Sequence, residues 1–191
     1  AGQFELVQQL LDQVLAASSR LAADPRVLQT QAVLLIGTGR VSEGFAILRT
    51  LAAAAAAATD RVTAAHVTAD AGMAALIAAD MRATAELGER AAELLGDAGD
   101  ARVRAHVLAC LAAGRVFTGD RAGAERALRE AEPLLATLDP LDWLIAMRTQ
   151  AVAIHVRIAL EDFERARADA AAILELVDGA GALTARVNPL S

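Results

Sequence analysis

Four cationic or titratable residues, Arg26, His66, His106 and Arg148, recur along the chain at intervals of 40, 40 and 42 residues. Residues of this kind at one structural register make an anion-binding stripe, able to hold an acidic peptide or a negatively charged small molecule. Solvated or inter-repeat polar contacts are the alternative use for the same four side chains. Other candidates carry less chemistry. His155 and Cys110 are single polar residues on otherwise apolar stretches, which assigns them to a core or groove lining rather than to catalysis. His106 stands one helical turn before Cys110, a pairing able to lower a thiol pKa, but no recognised nucleophile motif surrounds it. The three histidines lack the i, i+4 spacing of a helical zinc site, so no metal and no cofactor is expected. The glycine-bearing run from Gly37 to Gly44 lacks the Lys-Ser/Thr of a phosphate loop and follows a helical pattern, which makes it a helix stop and turn. Glu86, Glu89 and Glu93, with Arg82 and Arg90 nearby, form the stripe of a solvated helix face. No acid, base and nucleophile converge, and the chain is expected not to be an enzyme.

The elements that must position these residues are helices. Of 191 residues 49 are Ala and 27 Leu, and the aromatic content is 3%. Ala and Leu are strong helix formers, and strand-favouring aromatic types are scarce. A hydrophobic content of 55% beside 22% charged residues supplies a core and excludes intrinsic disorder. The longest uncharged runs, Val27 to Gly39 and Thr50 to Thr59, are shorter than a membrane span. The net charge of −6 opposes direct nucleic-acid contact by this segment. One cysteine and no leader-like start point to the cytoplasm. The chain opens at Ala1 directly into a helical pattern, as a fragment of a longer protein would.

Four short polar breaks set the period. They begin at Gly39, Ala79, Gly119 and Glu161, each between two apolar helical stretches. The reading is a single helical-repeat domain: a leading helix in 1–23, hairpins 24–59, 60–98, 99–138 and 139–178, and a tail 179–191. Asp24-Pro25 and Asp139-Pro140 place Asp at an N-cap and Pro at the first helical position. Asp60 and Asp100 take that place before the other two first helices, and Ser42, Asp80, Asp120 and Asp162 before the second helices. Trp143 is expected to fill the seam with the preceding hairpin, or to anchor a partner. The Ala run 52–58 offers helix propensity and close packing without side-chain specificity.

Small residues fall where the two helices of each hairpin cross: Ala32, Gly72 and Ala112, with Ile154 as the departure, on the first helices, and Gly44, Thr84, Ala124 and Ala166 on the second. In this the chain resembles the tetratricopeptide family, and the third hairpin fits best, through Leu108, Leu111, Ala112, Gly119, Asp120, Ala124, Leu128 and Ala131. The unit of about 40 residues exceeds the family's 34 and is similar to the repeat regions of large bacterial LuxR-type regulators. The resemblance implies an all-α, right-handed superhelical solenoid whose first helices line a concave groove. It implies a sensor or protein-interaction module that serves separate ATPase and helix-turn-helix domains. Its partner would be a protein, a peptide or a small-molecule effector in that groove. A free-standing scaffold that recruits a peptide, unrelated to transcription, is the alternative. The Ala- and Arg-rich, Lys-free composition resembles that of a GC-rich actinobacterial source. Oligomeric state is left open.

Overall fold

The computed structural model describes residues 24–57, 60–138 and 147–179, together with Gln9, Gln13 and Ser18. Every regular element among them is helical: α1 (Pro25–Gly37), α2 (Val41–Ala56), α3 (Arg61–Ile77), α4 (Met81–Leu95), α5 (Ala101–Phe117), α6 (Arg121–Ala136), α7 (Met147–Ala159) and α8 (Phe163–Gly179). Gln9 and Gln13 are helical, but Ser18 is not, so the expected leading helix does not run unbroken through 1–23; its other residues lie outside the described ones. So do Asp139, Pro140, Trp143 and the tail beyond Gly179.

Capping explains where most helices begin. The carboxylates of Asp24, Asp60, Asp80, Asp100 and Asp120 accept from the backbone N–H of Arg26, Thr63, Ala83, Val103 and Gly123 at 2.8–3.0 Å. Each satisfies a donor that the helix itself leaves unpaired. The sequence expectation is corrected at α2. Ser42 is not its cap; the residue before the helix is Arg40, whose side chain caps nothing and instead pairs with Glu43 at 2.6 Å. Ser42 already lies one residue inside the helix, so its hydroxyl is past the position from which a cap acts.

The four turns between paired helices share one backbone device. Gly39 and Gly119 have φ of +86° and +92°, and Ala79 and Glu161 reach the same left-handed region at 59° and 65°. The equivalent position therefore turns the chain in all four pairs, with glycine at two and a strained side-chain-bearing residue at the others.

Helix packing follows from side-chain size. α1 packs on α2, α3 on α4, α5 on α6 and α7 on α8, and α2 and α4 each continue onto the next first helix. The first helices also touch one another, α3 with α5 and α5 with α7. α3 is buried almost all round because its neighbours meet Ala64, Ala65, Ala69, Ala71, Gly72, Ala74 and Ala75. α4 is one-sided: Thr84, Gly88, Ala91 and Leu95 face inward at i, i+4, i+7 and i+11. A Cβ on Gly88 would lie 3.0 Å from the Cys110 carbonyl oxygen, and one on Gly114 would lie 2.6 Å from the Ala85 Cα. Two glycines, one from each helix, thus let α4 and α5 approach backbone to backbone. The crossing residues Ala32, Ala112, Thr84 and Ala124 are fully buried, while Ile154 is only half-buried. The largest apolar cluster runs from Ala64 on α3 to Val156 on α7. The Ala run is mostly exposed, with Ala52 alone buried among its described residues.

Candidate functional site

The first helices converge on one carboxylate. Asp70 sits near the middle of α3 and its side chain is wholly buried. His66 lies one turn earlier on the same face of α3. From α5, His106 brings its Nε2 to 3.1 Å from Asp70 Oδ1. From α7, Arg148 places Nη2 3.4 Å from the same oxygen, its side chain 48% exposed. From α1, the Gln29 amide donates to Asp70 Oδ2 at 2.6 Å. Thr149 of α7 closes the arrangement, its hydroxyl 2.9 Å from His106 Nδ1. The His66 and His106 rings meet edge to face, with centroids 5.1 Å apart.

The electrostatics follow from this packing. Burial alone would push the Asp70 carboxyl up, but the His106 ring 3.1 Å away and the Arg148 charge outweigh it and hold the group well below the usual carboxylate range. His66 is lowered: desolvation is the largest influence, and the Asp70 charge opposes it only in part. Cys110 is fully buried, and desolvation together with the Asp70 charge pushes its thiol up to about 12. At neutral pH that thiol carries no nucleophilic thiolate, in keeping with its assignment to the core.

Three of the four register residues, His66, His106 and Arg148, are therefore brought together. Arg26 is exposed, and Gln29 is what α1 contributes to Asp70. His155 is exposed as well, its Nδ1 2.7 Å from the Ala151 carbonyl, rather than in the core. Sequence reasoning missed Asp70 because it has no counterpart at its register, where Thr30, Cys110 and Val152 stand. A signal was present: Asp70 is the one carboxylate between Asp60 and Asp80, one turn from a histidine. The acidic stripe on α4 is solvated as expected, with Glu86 paired to Arg82 and Glu93 to Arg90, while Glu89 reaches across to Arg115 of α5 at 2.8 Å. Gly37 ends α1, Thr38 to Arg40 make the turn, and Val41 to Gly44 open α2.

Chemically, the cluster is a buried anion surrounded by two imidazoles, a guanidinium, an amide and a hydroxyl. His66, Asp70 and His106 each offer a ligand atom, and these atoms lie within 4.8 Å of one another. No helix among the described residues is long and apolar enough to cross a membrane. No family model matches the chain, and no curated protein matches it.

Proposed function

We propose that the chain is a non-catalytic sensor and protein-interaction module of a cytoplasmic LuxR-type bacterial regulator, built as a right-handed solenoid of tetratricopeptide-like hairpins. One observation carries this reading: residues from all four first helices meet at Asp70, and the cluster reaches solvent through Arg148 and the half-buried His66. An occupant of that face touches several hairpins at once. If it prefers one arrangement of them, it shifts the population toward that arrangement by its differential affinity. Separate ATPase and DNA-binding domains would read the shift. Arg26 and Arg148 supply cationic groups to an anionic effector or acidic peptide, with His66 and His106 beside Asp70 as the polar floor.

Reading the gene beyond both ends of this segment tests the assignment. A Walker-type ATPase upstream and a helix-turn-helix downstream are expected; a reading frame lacking both overturns the regulator and leaves the free-standing scaffold. Charge reversal at Arg26, His66, His106 and Arg148 tests the binding face. Loss of effector or partner binding is expected, and binding unchanged in every variant would remove this face from the mechanism.

A further inference from the structure

We propose that His66, Asp70 and His106 form a site for a single divalent transition-metal ion of the zinc class, with Gln29 and Thr149 orienting the ligands. The spacing suits such an ion. With metal–ligand bonds of about 2.0–2.1 Å and roughly tetrahedral angles, two donor atoms stand about 3.3 Å apart and two imidazole centroids about 5.2 Å apart. His106 Nε2 and Asp70 Oδ1 are 3.1 Å apart, and the His66 and His106 centroids are 5.1 Å apart. Both Asp70 Oδ1 and His106 Nε2 are buried without a hydrogen bond of acceptable geometry, although they face each other.

The surroundings prepare these two atoms for coordination. When His106 donates its Nδ1 proton to the Thr149 hydroxyl, its Nε2 carries a lone pair directed toward the carboxylate side. Two lone-pair atoms in close approach away from water need a cation between them, and a metal ion meets that need. Gln29 holds the other carboxylate oxygen, Oδ2, which leaves Oδ1 as the ligand. His66 joins from the same face of α3 as Asp70, the i, i+4 arrangement by which one helix supplies two ligands. Two imidazoles and one carboxylate make a nitrogen- and oxygen-donor set suited to zinc and its neighbours rather than to calcium or magnesium. Three protein ligands leave a fourth position open to water or an anionic group. Arg148 is half-exposed, so its guanidinium is free to withdraw from Asp70 as the ion takes over neutralisation of the carboxylate.

The test uses the whole chain after chelator treatment, titrated with Zn(II) against a chromophoric chelator and separately with Co(II). One Zn(II) per chain is expected, with the strong visible absorption of four-coordinate Co(II). His66→Gln and Asp70→Asn should each abolish tight binding, and Thr149→Val should weaken it by about 10–100-fold. His155→Gln, at an exposed histidine, should leave it unchanged. Circular dichroism checks that each variant keeps its helices; His66→Gln replaces a half-buried polar residue with another and is the variant best suited to remain folded. Absence of one-to-one binding, equal binding by His66→Gln and the parent, or the weak spectrum of six-coordinate Co(II) overturns the proposal: a proton alone then bridges His106 and Asp70. The readout is metal stoichiometry, so it is independent of whether the module serves a regulator.

Discussion

Asp70 shows how one residue organises its surroundings without any repeat to announce it. It is ionised and buried, with partners on three neighbouring helices. Removing it leaves the buried His106 ring and the part-buried Gln29 amide without the carboxylate they face. Asp70→Ala is therefore expected to cost about 3 kcal/mol, measured by urea unfolding; a loss under about 1 kcal/mol would show that the cluster is not a coupled unit. His66 gives a pH-dependent prediction. Its folded-state pKa lies below the ordinary histidine value, so the unfolded chain takes up the proton first as pH falls. Stability contributed by keeping His66 neutral is complete above about pH 6.5 and falls away below it, down to the lowered folded-state value. Melting temperatures taken with a chelator present should decline from pH 7 to pH 5, and less steeply in His66→Gln than in the parent. Equal slopes would mean that His66 is not held in its neutral form.

The helices and their turns were the most legible part of the chain. The Asp caps place the starts of α1, α3, α4, α5 and α6, and the polar breaks separate the helices of each pair, because a cap satisfies orphan N–H groups locally and needs no distant partner. Ser42 was misread since a hydroxyl next to a helix start looks like a cap in sequence, whichever side of the boundary it occupies. The turns carry a prediction of their own. Ala79 and Glu161 hold the left-handed backbone that Gly39 and Gly119 adopt freely. Ala79→Gly should relieve strain greater than the unfolded-state entropy it adds, raising stability by about 0.5 kcal/mol. A lower melting temperature in that variant would contradict the reading. The opposite outcome is expected at Gly114, where an added Cβ meets the Ala85 backbone at 2.6 Å. Gly114→Ala should cost about 1–3 kcal/mol by forcing α4 and α5 apart.

Across the whole molecule, burial is uneven. α3 and α5 are enclosed by neighbours, whereas few residues of α1 are buried: Ala32, Leu34 and Leu35. Hydrogen exchange should accordingly be slowest in α3 and α5 and faster in α1, since local opening exposes less apolar surface where fewer contacts hold. Uniform protection would indicate that all hairpins unfold together. By itself the sequence determined the all-α class, the paired helices, their small-residue crossings and the register of His66, His106 and Arg148. Those features depend on local propensity and on periodic patterns that repeat along the chain. Only the tertiary structure decided that Asp70 is where they meet, that Arg26 stays outside, and that α1 substitutes Gln29. Asp70 and Gln29 are 41 residues apart, and His106 and Thr149 43. No local rule relates such residues; they meet because small side chains let the first helices approach closely, and the buried carboxylate then required partners from each of them.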